Sequence, residues 1–328
     1  MNPAKIRVAV IGAGEHGRNH ARTYKTIADA ELTGIYDAVS ARAERLAAEL
    51  DVKAFRSLDE TWESAQAVSL VIPTSSHAAV ARQAFAHGLD VLVEKPITQT
   101  TEEADELIRC AAGRVLQVGH VERFNPGVVA AQAITRNPLF FEVHRLGVFS
   151  PRSLDVDVVY DLMIHDLDLI LWLAGSSVRE VRAVGLPVLS DKVDIANARV
   201  EFDNGAVANV TASRVSTEKV RKFRYFQPGE YVSIDFTRQD ALVIGVNRAA
   251  APAPEMSFRK LECRRGEPLR AELEAFLECV RTREPPLVGG REGREALALA
   301  VRVVACVGEH AAKLNLLVTQ PAGHTGES

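Results

Sequence analysis

The stretch "IRVAVIGAGEHGRNHA" near the start constrains this chain more than any other. Its apolar run shows no polar alternation and reads as a strand buried on both faces. The run ends in Gly12-Ala13-Gly14-Glu15-His16-Gly17, and a helical stretch follows at once. A G-x-G-x-x-G pattern is weak alone, but at a strand-to-helix junction it marks a turn that binds a dinucleotide. Gly12 allows the tight turn, Gly14 lets the backbone approach a pyrophosphate, and Gly17 permits close helix packing. The helix N-terminus supplies amide donors and partial positive charge, with Glu15 and His16 in the same turn. Asp37 stands 20 residues past Gly17, at the end of the next apolar run. There it can accept hydrogen bonds from ribose hydroxyls, and its charge repels a 2′-phosphate. No Arg follows immediately, so NAD is the expected cofactor rather than NADP. A domain of this shape that binds no nucleotide is the bland alternative.

The rest of the chain fills in the architecture. "AELTGIYD", "AVSLVIPT", "DVLVEK" and "RVLQVGH" read as further buried strands. Between them lie helices such as "SARAERLAAEL" and "HAAVARQAFAHG", the latter closed by Gly88. This is the rhythm of a doubly wound parallel sheet. From about Phe124 the pattern changes, and "ARVEFDNGAVANVTASRV" alternates around Asn204-Gly205, a strong hairpin signal. After the Pro- and Ala-rich "RAAAPAPE" come two helices, "LRAELEAFLECVRT" and "GREALALAVRVVACVGEHAAKL". The expected class is α/β: an N-terminal Rossmann doubly wound parallel sheet, then a C-terminal α+β domain on a mainly antiparallel open sheet. The expected boundaries are 1–122 for the NAD-binding domain, 123–318 for substrate binding and oligomerisation, and 319–328 for a disordered tail.

Composition removes several functions. With 47% hydrophobic residues, 25% charged and a formal net charge of −4, the chain has no basic block for nucleic acid. No apolar run reaches the length of a membrane span, and the start lacks a signal peptide's apolar core, so a cytoplasmic protein is expected. Cys110, Cys263, Cys279 and Cys306 form no CxxC pair and read as reduced packing residues.

The segment "VVYDLMIHDLDLILWLAG" reads as a buried helix, yet it carries Asp161, His165, Asp166 and Asp168. On a helix the first, second and last of these share one stripe, and Asp166 points elsewhere. Charged groups among apolar residues need a partner, a ligand or a cleft. Local hydrogen bonds could satisfy them, and Asp-x-x-x-His-x-x-Asp could also offer a facial set of metal ligands. No metal is expected here.

"DVLVEKPITQT" places Glu94-Lys95-Pro96 at a strand end, where open α/β sheets bind ligands. With the glycine motif, "VIPTSSHAAVA" and the Asp161/His165 helix, the chain resembles the Gfo/Idh/MocA family of sugar and polyol oxidoreductases over nearly its whole length. The resemblance implies an active site of Lys95, Asp161 and His165. It places Pro73, Thr74, His77, Glu94 and Lys95 on the nicotinamide side of the cofactor. Asp168 matches the acid of the family's G-x-H-x-x-D pattern, with Met163 in place of the Gly. The peptide before Pro96 is expected to be cis. In oxidising an alcohol, His165 would take the hydroxyl proton, Asp161 would accept from substrate or orient His165, and Lys95 would stabilise the developing oxyanion.

Arg123, Phe124 and Asn125 in "VGHVERFNPGV" are the expected substrate contacts alongside the catalytic trio. That segment, "IHDLDLILWL" and "RKFRYFQPGEYVSIDF" resemble the branch that oxidises the C3 hydroxyl of UDP-N-acetylglucosamine. There an aminotransferase takes the 3-keto product towards lipid A. Lys219, Arg221, Lys222 and Arg224 could meet a pyrophosphate, or could be an ordinary solvated face. An inositol or free-sugar dehydrogenase would share the trio, and a non-enzymatic NAD-binding regulator is a third reading. Family members pair through the open face of the C-terminal sheet, which implies a homodimer or homotetramer.

Overall fold

The computed structural model describes residues 4–149, 156–247, 250 and 255–313. By contact the chain forms two compact units, Met1–Asn125 with Arg265–Leu297, and Pro126–Arg264 with Ala298–Ser328.

The first unit opens with β1 (Ile6–Ile11), α1 (Glu15–Thr26), β2 (Ala30–Tyr36), α2 (Ser40–Leu50), β3 (Lys53–Ala54), α3 (Leu58–Ser64), β4 (Ala67–Leu70), α4 (His77–Ala86), β5 (Asp90–Glu94), α5 (Thr101–Cys110) and β6 (Leu116–Gly119). The six strands are all parallel, in the order β3-β2-β1-β4-β5-β6. Five of them are legible in the sequence; β3, a two-residue edge strand, is too short to be. Chain direction across the sheet reverses between β1 and β4, so the loops leaving those strands open the crevice in which such sheets bind ligands. Strand interiors such as Val8, Val10, Val68 and Leu92 are wholly buried, which is why they show no alternation. Gly88 follows α4 with φ +79°, the left-handed conformation expected of it.

The second unit continues with α6 (Pro126–Gln132), β7 (Phe140–Val148), a π-helical turn (Val159–Met163), α7 (Ile164–Ala174), β8 (Val178–Leu186), β9 (Ile195–Phe202), β10 (Val207–Ser216), β11 (Val220–Gln227), β12 (Glu230–Asp235), β13 (Asp240–Asn247) and β14 (Glu255–Lys260). Its eight strands run β14-β13-β12-β11-β7-β10-β9-β8, antiparallel except for the pair β7/β10. Asp203, Asn204 and Gly205 turn β9 into β10, with Gly205 at φ +85°. Inward residues such as Phe141, Phe202, Val210 and Phe223 are fully buried, and polar side chains alternate with them on the outer face.

Two helices follow β14 among the described residues, α8 (Pro268–Thr282) and α9 (Gly290–Lys313). The strand β14 precedes them, where the sequence reading has helix directly after the Pro/Ala-rich stretch. The division into units is also not one cut at residue 122. α8 returns to the first unit, where Leu273, Phe276, Leu277 and Val280 join Val8, Val10, Tyr24 and Ile27 in one cluster. Burying each large apolar side chain contributes roughly 1.5–3 kcal/mol, ample reason for the helix to pack there. α9 belongs to the first unit as far as Leu297 and to the second from Ala298. The expected disordered tail lies outside the described residues.

Candidate active site

In the first unit the glycine motif is built as its chemistry requires. Gly12 has φ +105°, and a Cβ there would collide with the Val71 carbonyl oxygen. A Cβ on Gly17 would strike the Gly12 carbonyl oxygen, so these two glycines are demanded by the protein's own packing. Gly14 differs, because a Cβ there would meet nothing within 4 Å. Its glycine keeps clear a space at the N-terminus of α1, where no side chain caps the helix. Asp37 bridges this loop to the end of β2: its two carboxylate oxygens accept the Ala13 N–H at 2.7 Å and the Val39 N–H at 2.8 Å. Glu15 and His16 are exposed beside it.

The loops after β4 and β5 are joined by His77. Its ring is buried, with Nδ1 2.9 Å from the Pro96 carbonyl and Nε2 2.9 Å from the Ile72 carbonyl. Burial pushes the His77 imidazolium down from its usual value, so near neutrality the ring is uncharged and donates to one carbonyl at a time. The sequence reading has His77 as a cofactor contact; the structure turns both of its nitrogens towards backbone. Pro73 is exposed and Thr74 half-buried on the short 3₁₀ turn that precedes it. The Lys95-Pro96 peptide is cis. Glu94 is fixed from two sides: Oε1 lies 3.1 Å from His20 Nε2, and Oε2 accepts the Lys95 N–H at 3.2 Å. Burial pushes the Glu94 carboxyl up, but His20, Lys95 and His16 together hold it below its usual value, as a carboxylate.

Arg123 and Asn125 are buried, in and just after the 3₁₀ turn Val121–Phe124, and Phe124 is half-buried. The Asn125 amide donates to Glu122 at 3.3 Å, and the Arg123 N–H to the His120 carbonyl at 3.0 Å. The Asn125 side chain thus ties the end of the turn back to Glu122.

In the second unit the acid-bearing segment is not one uniform α-helix. It begins with the π turn, where the Ile164 N–H donates to the Val159 carbonyl five residues back. Single π turns of this kind concentrate at functional sites, since they widen the helix and re-aim side chains. Asp161 and His165 are half-buried here, whereas Asp168 is buried at 1% exposure. Asp166 points the other way, as the spacing predicts, into a bidentate pair with Arg145 on β7 at 2.7 Å and 2.7 Å. Arg145 also lies 4.8 Å from the Phe236 ring centre. That pair locks α7 to the sheet. Met163, standing where the family's pattern has Gly, is fully buried and serves the core. Among the described residues no group of three or more His, Cys, Asp or Glu could hold a metal ion.

The basic run on β11 is engaged across the sheet. Lys222 pairs with Asp235 at 2.6 Å, and Arg224 lies 3.6 Å from Glu142 and 3.3 Å from His144. These side chains alternate outward from buried Phe223 and Tyr225, which favours the surface reading. Of the cysteines, all four are free, and Cys110 is exposed rather than packed.

Two features escape sequence reading, His20 behind Glu94 and the buried Glu272 of α8. Neither sits in a motif, and Glu272 lies in an amphipathic stretch where an acid reads as surface.

A parallel sheet in this order, a glycine turn with Gly14 facing open space and an acid after β2 define a protein that binds a dinucleotide. Comparison makes this specific: residues 6–120 match the family model "Oxidoreductase family, NAD-binding Rossmann fold", and residues 129–227 match the "GFO/IDH/MocA C-terminal domain". The chain belongs to the Gfo/Idh/MocA oxidoreductase family, is an enzyme, and uses NAD. It is 42% identical over 302 residues to a UDP-N-acetylglucosamine 3-dehydrogenase of Acidithiobacillus ferrooxidans, covering 91% of this chain and 96% of that one. The solved structure of that dehydrogenase superposes with a TM-score of 0.87 and 40% identity, covering 93% of this chain and 99% of that one. The scyllo-inositol 2-dehydrogenase (NAD(+)) of Bacillus subtilis is more distant, at 28% identity over 87% of this chain and 89% of its own.

Proposed function

We propose that this protein oxidises the C3 hydroxyl of UDP-N-acetylglucosamine to the 3-keto sugar. The observation that carries the reading is the 42% identity to a 3-dehydrogenase of that substrate along 91% of the chain, against 28% to an inositol enzyme. NAD, when bound, supplies the carbon that accepts the hydride. His165 takes the hydroxyl proton, which a neutral imidazole can do near neutral pH. Asp161, one helical turn away, orients His165 or accepts from a second hydroxyl, and Lys95 donates to the oxygen on which charge develops. Asp37 receives the ribose hydroxyls, Gly12, Gly14 and Gly17 with Glu15 and His16 shape the pyrophosphate turn, and Pro73, Thr74 and Glu94 line the nicotinamide side. His77 acts through the two loops it joins. Arg123, Phe124 and Asn125 contact the substrate.

The 3-keto product would pass to an aminotransferase on the way to lipid A, in the cytoplasm where nucleotide sugars are made. No helix among the described residues is long and apolar enough to cross a membrane. We further propose that a second copy covers one corner of the outer sheet face, making a homodimer or homotetramer. There Phe140, Phe226, Tyr231, Ile244 and Phe258 stand in one cross-strand row, with Phe258 67% exposed. A monomer by light scattering at micromolar concentration would contradict this.

The deciding experiment mixes the purified protein with NAD and either UDP-N-acetylglucosamine or myo-inositol and follows NADH, with an aminotransferase and its amine donor drawing off ketone. NADH from the UDP-sugar alone is the expected result; NADH from inositol alone would move the protein to the polyol branch.

A further inference from the structure

The first unit holds a second group of polar side chains, beneath the Lys95 motif. Glu272, midway along α8, is fully buried, and neither of its carboxyl oxygens meets a hydrogen-bond partner. Gln117 on β6 is as deeply buried: its amide nitrogen donates to the Glu272 backbone carbonyl at 3.1 Å, while its Oε1 is unmatched. His20 gives Nε2 to Glu94 and has its Nδ1 buried without a partner.

Strand register explains why these groups meet. Leu92 pairs with Gln117 and Glu94 with Gly119 in parallel, so Glu94, Gly119 and Gln117 share one face of the sheet. A Cβ on Gly119 would come within 2.9 Å of Glu94 Oε1, so the missing side chain lets the carboxylate lean over β6. Two acids enclosed this closely cannot both ionise at small cost. Glu94 has His20, Lys95 and His16 to support its charge, whereas the groups facing Glu272 are Glu94 itself and Tyr24 on α1, whose hydroxyl is bonded to Ser69 at 2.8 Å. Burial and the Glu94 charge together hold the Glu272 carboxyl well above the usual range.

We infer that Glu272 is a positioning residue for Lys95: held as a neutral acid beneath β5, it leaves Glu94 as the ionised group that grips His20 and the Lys95 backbone N–H. This rests on the reading that Lys95 works on the substrate. Glu272 ionises in the unfolded chain near the ordinary Glu value and in the fold only at higher pH. Its contribution to stability is therefore present below the ordinary value and lost as pH rises. Above its folded value a second buried charge faces Glu94 and loosens the grip on Lys95.

The test compares wild type with Glu272→Gln, an isostere of the neutral acid, and with Glu94→Gln. Melting temperatures from pH 5 to 9 should show a gap, the Glu272→Gln variant minus wild type, that widens by on the order of 2 °C per pH unit until Glu272 ionises. In a Glu94→Gln background that widening should shrink. Labelling of Lys95 by an amine reagent, read by mass spectrometry on the NAD-bound protein, should show an alkaline break in wild type that Glu272→Gln lacks. A melting gap independent of pH overturns the neutral acid, and identical Lys95 profiles overturn the positioning role. Neither readout needs a substrate. Failure of wild type to turn over UDP-N-acetylglucosamine would sink the proposed reaction and leave this inference to be judged by melting and labelling.

Discussion

Asp166 and Glu272 are both completely buried acids, one in each unit, and the protein accommodates them in opposite ways. Asp166 keeps its charge because Arg145 meets it with two parallel hydrogen bonds. Glu272 has no such cation and, in our inference, keeps its proton instead. The difference shows how each unit holds its working group. The second unit ties the helix that carries Asp161 and His165 to its sheet by a buried bidentate charge pair, while the first, in our inference, supports Lys95 through acids whose protonation matters.

The largest expected effect separates the working group from its support. Replacing His165 with Ala should lower turnover by about 10²- to 10⁴-fold, the usual size of a lost general base. Turnover near wild type would remove His165 from that role. Next comes the support itself. Arg145→Met removes the bidentate cation from the buried Asp166 charge, and should destabilise the protein by roughly 3–5 kcal/mol in denaturant unfolding. The double variant Arg145→Met/Asp166→Leu removes both charges and should recover most of that loss. If the double variant is no better than the single one, the pair is not what holds α7 to its sheet.

A third test uses the acid limb of stability. Asp194 is fully buried, and burial alone would raise its carboxyl. Hydrogen bonds from the Ser190 hydroxyl and the Val188, Leu189 and Ser190 N–H groups outweigh that and hold it at about 2. Because the folded value is lowered, the contribution is present above the ordinary Asp value and lost as pH falls towards 2. Asp194→Asn should lose about 2 kcal/mol at pH 7, a loss that shrinks as pH falls towards 3. A loss that stays constant with pH would show that shape, not charge, carries the contribution.

These contrasts also mark what sequence can show. The glycine turn is legible because its pattern is local in the chain: Gly17 is forced by the Gly12 carbonyl of the same turn and Asp37 follows at a spacing set by one βαβ unit, whereas the clash that demands Gly12 is with Val71, far along the chain. The direction of Asp166, opposite to Asp161 and His165, followed from helical spacing. The π turn did not, since no residue type announces a fifth residue in a turn. Neither did the return of α8 to the first unit, because Leu273 and Phe276 would suit any amphipathic helix equally well. Glu272 was hidden for the same reason: only tertiary packing buries its side chain within reach of the Glu94 charge and sets Gln117 against its backbone carbonyl.

The smallest effect concerns the basic run on β11, where pairing on a sheet surface competes with binding a phosphate. Lys222 is 26% exposed and touches Asp235 at 2.6 Å, so its charge is already engaged. Burial alone would raise the Asp235 carboxyl, but the hydrogen bond and charge of Lys222, with the Arg238 N–H and charge, hold it below its usual value. A partly exposed pair of this kind contributes about 0.2–1 kcal/mol, less at high salt. Lys222→Ala should therefore shift stability by no more than that, and salt should shrink the shift. If the side chain belongs only to the sheet, KM for UDP-N-acetylglucosamine should stay within about twofold of wild type, well below the roughly tenfold that 1.4 kcal/mol of lost binding represents. A rise of that larger size with stability unchanged would return Lys222 to the pyrophosphate, and would mean that a charge engaged in the free protein is exchanged for the ligand.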